Sequence, residues 1–220
     1  MAIAFRAGVY AGDASATSAS VNKPTGTVDD DILILALYHE DTTDPTTGLS
    51  VPAGFTLIAN GLTGSPFSLR VYWKRAASEG ASYSITWTDN VWHAEVLLAF
   101  SGCETSGSPI DAVANGTEAT SGTTLTYPSV TTTVADTMLV VLGAGYAGQE
   151  GAPSGFSVGA GDGGGSGAGY YKAQAASGAT GTFTGAVWDG YSLGHTVALK
   201  VPGGATTVRP RSLLTMGVGS

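Results

Sequence analysis

Histidine and cysteine are the residue types in this chain best suited to nucleophilic or metal chemistry. The three histidines, His39, His93 and His195, lie far apart in the sequence, and none falls within a recognisable metal-ligand motif. The single Cys103 follows an apolar run and has no nucleophile signature around it. Serine triads assemble in space rather than at fixed spacing, so their absence does not follow from the sequence. We nevertheless predict packed or surface histidines and a protein without enzymatic activity.

Carboxylates form two clusters around one apolar segment. Asp29, Asp30 and Asp31 precede residues 32–38, and Glu40, Asp41 and Asp44 follow them. Loop carboxylates can converge on Ca²⁺, which takes about six to eight oxygen ligands. The chain contains no complete EF-hand pattern, so solvated loop carboxylates are the favoured interpretation and a Ca²⁺ site is the alternative. We predict no cofactor.

Four tryptophans could provide a flat surface on which sugars stack. Trp73 and Trp87 lie on the apolar phase of alternating segments, which predicts positions in the core. Trp92 and Trp188 lie near expected loops and are the candidates for ligand binding. The glycine-rich residues 159–167 lack the Lys-Ser/Thr end of a phosphate-binding loop, and a strand pattern follows instead of a helix. We therefore interpret them as a hairpin loop.

Strands, not helices, must position these residues. Residues 67–74 and 83–88 alternate apolar and polar side chains, which is the pattern of half-buried strands. Residues 32–38 and 138–142 are continuously apolar and predict central strands. The side chains predicted to be mostly buried are Ile32, Leu35, Val71, Trp73, Ile85, Leu98, Leu139, Val141, Phe183 and Val197. If Trp73 is buried in this way, its replacement by Ala should cost about 3–5 kcal/mol.

The two halves of the chain repeat one pattern. Five blocks recur in the same order about 100 residues apart: 28–35 with 134–141, 52–55 with 153–156, 72–74 with 170–172, 80–86 with 178–184, and 96–100 with 195–199. This period is too long for a solenoid repeat. We predict an all-β, two-sheet antiparallel β-sandwich, jelly-roll-like, spanning residues 1–202 as a single domain and built from similar halves at about 10–102 and 114–201.

Composition and charge exclude several partners. Charged residues make up only 12% of the chain, the 33 glycines favour short strands joined by turns, and the net charge is −8. A nucleic-acid partner is not expected, because binding phosphates requires a basic surface. No stretch is long and apolar enough for a membrane span, and the first residues do not resemble a signal peptide. We expect synthesis in a host cytoplasm.

The last residues differ in character from the rest of the chain. Residues 203–220 show no strand alternation and contain two arginines but no acidic residue. We interpret them as an extended C-terminal arm that docks onto a partner subunit, although a disordered tail is an alternative. The side chains predicted to make the docking contacts are Arg209, Arg211, Leu213, Leu214 and Met216.

The repeated motifs resemble those of bacteriophage particle proteins with jelly-roll-like sandwiches. In this chain the shared pattern lies at residues 28–35, 52–55, 69–74, 77–87 and 96–102, and the resemblance covers most of residues 10–202. Members of this group are capsid decoration proteins, head fibres or tail-associated proteins. The resemblance therefore implies a structural virion protein with no catalytic residues to carry over.

Three functions follow as hypotheses. The first is a capsid decoration (cement) protein on the outer surface of the virion, which binds the major capsid protein or other virion subunits as a homo-oligomer, with a trimer favoured. The second is a tail or fibre module that binds host-surface glycans, and exposed aromatic side chains near Trp92 and Trp188 would favour it. The third is a glycan-cleaving enzyme, which would need two carboxylates facing each other across a cleft.

Overall fold

The protein is described by a computed structural model, which covers residues 2–40, 48–62, 67–117, 119, 121–146, 148–161 and 163–203, without the side chains of Leu62 and Glu150. Every regular element in this part of the chain is a strand. The strands are β1 (Ala4–Asn22), β2 (Ile32–His39), β3 (Thr56–Leu62), β4 (Ser68–Arg75), β5 (Ser82–Ser101), β6 (Ile110–Asn115), β7 (Thr124–Tyr127), β8 (Thr131–Thr132), β9 (Thr137–Gly145), β10 (Gln149–Gly151), β11 (Ser157–Ala160), β12 (Gly167–Gln174), β13 (Gly178–Ala179), β14 (Phe183–Val187) and β15 (Ser192–Leu199).

Two five-stranded antiparallel sheets form the centre of the molecule. The first has the strand order β1-β5-β2-β4-β3, and the second has the order β11-β12-β9-β15-β6. Read from its other edge, the second sheet has the order β6-β15-β9-β12-β11. If the five strands of each sheet are numbered along the chain, both sheets have the order first, fifth, second, fourth, third. The predicted all-β, two-sheet antiparallel sandwich built from two similar halves is therefore confirmed.

The two sheets share one apolar core. It is formed by inward-facing side chains of both halves, including Ile34, Leu98 and Phe100 from the first sheet and Val140 and Leu142 from the second. All five are fully buried. Burial of this much apolar surface is the main favourable term in folding, so the two sheets stabilise each other.

The outer face of the first sheet is also covered, because β1 and β5 form a long ribbon that folds over it. Gly12 and Asp13 have positive φ angles of 116° and 59°, and the register of β1 against β5 shifts at this point. Such a bulge bends a strand pair. Beyond the bend, Ile85 and Trp87 of the ribbon pack in one cluster with Leu35 of β2. β2 is thus buried on both faces, which explains its continuous apolar run.

The outer face of the second sheet is covered by separate short strands. β7, β10 and β14 form a three-stranded sheet. Its Leu125, Tyr127 and Val187 pack against Val141 and Tyr170 of the second central sheet. This arrangement buries β9 on both faces, as the ribbon buries β2.

Equivalent turns explain why the repeated blocks recur. Asp30 and Asp136 both adopt left-handed backbone angles, with φ of 70° and 57°, immediately before their central strands. Asp30 N–H donates to the carbonyl of Ala76, just after β4, and Asp136 N–H donates to that of Ala175, just after β12. Aspartate tolerates this conformation better than most residues. The repeat therefore preserves local turn geometry in both halves.

The Pro-x-Gly-Phe blocks have the same role in each half. Each forms a tight turn that places its phenylalanine under a lysine from the neighbouring strand. Lys74 Nζ lies 5.7 Å from the ring centre of Phe55, and Lys172 Nζ lies 5.6 Å from that of Phe156. These distances are within the range of cation–π attraction.

The predicted core is confirmed, but its ten residues are not equally buried. Eight of the ten residues are fully buried, but Trp73 and Phe183 are only partly buried. Trp73 packs against the margin of the inter-sheet core beside edge strand β3, and Phe183 lies at the start of β14. Because part of the indole stays in water, Trp73→Ala should cost less than the 3–5 kcal/mol expected of a fully buried site. Trp87 is buried, as predicted.

Candidate functional site

The central strands β2 and β9 end on the same side of the sandwich. The link is Ser166, which lies in the hairpin between β11 and β12. Its carbonyl accepts a hydrogen bond from Gly145 N–H at the end of β9, at 2.9 Å. Its hydroxyl accepts one from Trp92 Nε1, at 3.3 Å, and Trp92 carbonyl is in turn bonded to Glu40 N–H just after β2. We call this region, with Trp92, Tyr146 and Trp188, the aromatic end.

Trp188 lies on a seat made of glycine backbone. Its N–H donates to Gly148 carbonyl at 3.2 Å. A Cβ atom at Gly148 would lie 3.3 Å from the indole, and one at Gly164 would lie 3.2 Å from it. Both glycines have positive φ angles, 118° and 110°, which other residues rarely adopt. The indole therefore packs against the backbone of both glycines, while 47% of Trp188 stays exposed.

Two other exposed aromatic residues lie beside this seat. Trp92 is 38% exposed and Tyr146 is 50% exposed. Tyr146 follows β9 directly, and its N–H donates to Tyr191 carbonyl at 2.9 Å. The indole of Trp92 is held by its bond to Ser166, so its orientation is fixed even though part of it faces solvent.

Asp13 fastens the β11–β12 hairpin to the other half of the molecule. One carboxylate oxygen accepts a hydrogen bond from Tyr10 hydroxyl at 2.5 Å, and the other accepts one from Ser166 N–H at 3.2 Å. The ring of Tyr10 lies against Gly165. Burial, followed by the bond to Asp13, raises the pKa of Tyr10, so this hydroxyl stays protonated and continues to donate. The β11–β12 hairpin, which contacts Trp92 and Trp188, is therefore bound to residues of both halves.

A buried cluster of charged side chains lies under the ribbon. His93 Nδ1 is 2.9 Å from Glu95 Oε1, and the ring of Trp87 makes a tilted contact with His39 and an edge contact with His93, at centroid distances of 4.4 and 4.9 Å. Burial raises the pKa of Glu95, while the bond to His93 opposes this effect. Arg70 is 1% exposed. Because these groups are enclosed, we interpret them as packing residues.

His195 connects the two sheets. Its Nε2 lies 3.2 Å from Leu69 carbonyl of β4, and its Nδ1 accepts a hydrogen bond from Gly116 N–H at 3.2 Å. This pairing fits a neutral ring that carries its proton on Nε2. Burial lowers the pKa of His195 to about 4, and the bond to Leu69 opposes the shift. All three histidines are thus packed residues.

Three of the acidic residues that could have bound Ca²⁺ have protein partners. Asp31 forms an ion pair with Arg6 at 2.6 Å, and Asp29 accepts a hydrogen bond from Ser78 N–H at 2.7 Å. Tyr38 hydroxyl donates to Glu40 at 3.0 Å. Asp41 and Asp44 lie outside the described residues. Within the part of the chain that the structure describes, no group of three or more His, Cys, Asp or Glu side chains is arranged to hold a metal ion.

Neither Cys103 nor Ser157 has the surroundings that a catalytic nucleophile requires. Cys103 is buried, and burial raises the pKa of its thiol to about 12, which keeps it unreactive. Residues 155–159 read G-x-S-x-G, a pattern of serine hydrolases. Ser157, however, opens edge strand β11 and pairs with Tyr171 in an antiparallel ladder, not in a strand-to-helix turn.

The glycine-rich hairpin is confirmed, because β11 and β12 pair antiparallel on either side of it. The predicted docking residues Arg209, Arg211, Leu213, Leu214 and Met216 lie outside the described residues. The last described residue before them, Gly203, donates its N–H to Glu104 at 2.7 Å. Glu104 N–H donates to Lys200 carbonyl, just past the end of β15. This is the side of the sandwich opposite the aromatic end.

Sequence reasoning singled out Trp92 and Trp188 but missed Tyr146, Asp13 and Ser166. Trp188 lies in the loop between β14 and β15, as predicted, but the loop expected beside Trp92 is wrong, because Trp92 lies within strand β5 and pairs with Ser15. Asp13 and Ser166 are 153 positions apart, and no local pattern signals that they meet.

Comparison with known proteins adds no relative. No protein-family model matches the chain, and neither does any curated protein or solved structure. No helix in the described residues is long and apolar enough to cross a bilayer.

Proposed function

We propose that this protein is a non-enzymatic structural protein on the outer surface of a bacteriophage particle, and that its aromatic end binds glycans of the host surface. The observation that carries the proposal is that two exposed tryptophans, Trp92 and Trp188, contact one hairpin, with the exposed Tyr146 at the adjacent end of β9. The resemblance of the repeated motifs to phage particle proteins supports the virion location.

Aromatic rings held at a surface suit sugars for a physical reason. A pyranose presents a face of C–H groups, which gains from covering an indole or phenol ring, while its hydroxyls remain in water. Rigid Trp and Tyr side chains provide this contact area at low cost in conformational entropy. Here the glycine seat holds Trp188 and the bond to Ser166 holds Trp92, so little freedom is left to lose on binding.

The direction of the chain also supports presentation on a particle. Gly203, which residues 204–220 follow in the sequence, lies on the side opposite the aromatic end. A module attached to the particle by this arm would direct Trp92 and Trp188 outward. The arm contacts that we proposed from the sequence, centred on Arg209 and Arg211, fit this orientation.

The test is loss of glycan binding in a Trp188→Ala variant. Because Trp188 is already half exposed, the variant should still fold, with a smaller loss of stability than a fully buried tryptophan would cause, but bind glycans at least about tenfold more weakly, a loss of about 1.4 kcal/mol. Binding is measured on a glycan array and then by calorimetry with the strongest array glycan. Leu57→Ala is the matched control, since Leu57 is also 47% exposed but lies on edge strand β3. Equal binding by both variants would refute the proposed site.

A capsid decoration role is the second candidate, and a groove beside the root of the arm favours it. The groove has a volume of about 360 Å³ and is lined by Asp29, Asp30, Asp31 and Pro202, among others. Arg6 also lines it and pairs with Asp31, so Asp29 and Asp30 are the carboxylates that would complement the basic arm of a neighbouring copy in a trimer. Deleting residues 206–220 should leave the fold intact but remove the protein from purified particles, as judged by immunogold microscopy. Unchanged occupancy would argue against docking by the arm.

A further inference from the structure

The charge distribution around the aromatic end points to one chemical class of glycan. Cations that are partly or fully exposed lie at the other side of the sandwich. Lys74 pairs with Leu33 and Lys172 with Leu139, at the beginning of the central strands, and Arg6 is bound to Asp31 there. A strand rises about 3.3 Å per residue, so these groups lie about 20 Å from the aromatic end. Among the described residues of the central strands, Arg70 is the one cation on the side of the aromatic end, and it is buried.

Carboxylates, in contrast, lie next to the exposed rings. Asp189 follows Trp188 directly and is exposed, with one oxygen accepting a hydrogen bond from Gly122 N–H. Glu40 is bonded through its N–H to the carbonyl of Trp92. Asp13 lies beneath the hairpin. The chain as a whole carries a net charge of −8.

We propose that the aromatic end selects uncharged glycans and rejects glycans that carry carboxylate, sulfate or phosphate groups. This inference rests on the glycan-binding function proposed above. An anionic glycan seated on Trp188 and Trp92 would approach the carboxylate of Asp189 beside the first and that of Glu40 beside the second, with no exposed cation among the described residues of this region to pair with it. Like charges repel at this range, and the repulsion weakens as salt screens it. An uncharged glycan keeps the stacking contacts without this cost.

The experiment is a glycan array of matched pairs, in which each neutral oligosaccharide is printed beside its sialylated, sulfated or phosphorylated form. We expect the full chain to bind neutral members at least about tenfold more tightly than their anionic partners, with the difference shrinking as NaCl is raised from 20 mM to 500 mM. Equal or tighter binding of the anionic partners would overturn the selectivity and leave glycan binding standing. No binding to any member would overturn the proposed function itself.

A charge-reversal variant identifies the source of the selectivity. Asp189→Lys should raise the binding of anionic members relative to neutral ones by several-fold, because it replaces the carboxylate beside Trp188 with a cation. Glu104→Lys is the control, since it changes the net charge equally but lies at the opposite side, where it bonds to Gly203. If both variants shift the array in the same way, the effect is one of overall charge and the local assignment is wrong.

Discussion

The two halves of this molecule share a scaffold and differ mainly near the aromatic end. In the first half, the outer ribbon is continuous, with β1 and β5 running 19 and 20 residues. In the second half, the equivalent ribbon is divided into β6 with β7 and β14 with β15. Trp188 and Tyr191 lie in the gap between β14 and β15. The division of the ribbon therefore creates the loops that carry much of the candidate site.

The rows of side chains beneath the two ribbons differ as well. In the first half, Leu37 lies between Arg70 and Glu95 on neighbouring strands. In the second half, the equivalent row is Ala168, Gly143 and Gly194, and the ring of Tyr127 fills the space above it. One half thus encloses charged groups and the other encloses a tyrosine on glycines. The two halves therefore share the turns and the inter-sheet core but differ in the layers that cover the outer faces of the sheets.

The largest difference that we expect between equivalent positions concerns pH. His195 occupies the position that Val96 holds in the first half. Its folded-state pKa of about 4 lies below the ordinary value of 6.5, so between these values the unfolded chain binds a proton that the folded protein does not. Stability should therefore fall as the pH drops from 6.5 towards 4, by about 3 kcal/mol for this group.

Urea unfolding at pH 7 and pH 4.5 measures this effect. His195→Val should be less stable at pH 7, because Gly116 N–H and Leu69 carbonyl lose their partner, but its stability should vary less with pH. Other titrating groups are common to both proteins and cancel in the comparison. Parallel pH profiles for the two proteins would show that His195 does not titrate as described.

A smaller effect is expected from the glycines beneath Tyr127. A Cβ atom at Gly194 would lie 2.7 Å from Cδ1 of the buried Tyr127 ring. Gly194→Ala should therefore destabilise the protein by about 1–3 kcal/mol through overpacking, measured by thermal melting. Gly151→Ala is the control, because no atom lies within 4 Å of a Cβ there. An unchanged melting temperature for Gly194→Ala would mean that the outer layer yields easily.

The smallest expected effect is a difference in stability between variants of the two equivalent lysines, Lys74 and Lys172. Lys172→Met removes only cation–π contacts and should cost about 0.5–1 kcal/mol. Lys74→Met should cost more, because Lys74 also forms an ion pair with Glu79 at 2.8 Å, whose side chain is mostly buried. Urea unfolding of both variants measures the difference. Equal costs would show that the ion pair of the first half adds no stability.

Much of the fold followed from local sequence patterns. The alternating and continuous apolar runs predicted the strands, and the repeated blocks predicted two similar halves, because side-chain periodicity and turn chemistry act over a few residues. The partial burial of Trp73 and Phe183 was not predictable in this way. Both fit the apolar phase of a strand, and only the position of the strand relative to the sheet margin leaves them partly in water.

The candidate site was likewise predictable only in part from the sequence. By itself, the sequence determined that Trp188 lies in a loop, that the 159–167 segment forms a hairpin, and that the chain is acidic. Only the tertiary structure decided that Ser166 meets both Asp13 and Trp92, and that glycine backbone supports Trp188. The physical reason is that these contacts join residues far apart in sequence, and their geometry depends on how two sheets stack, which no local pattern encodes.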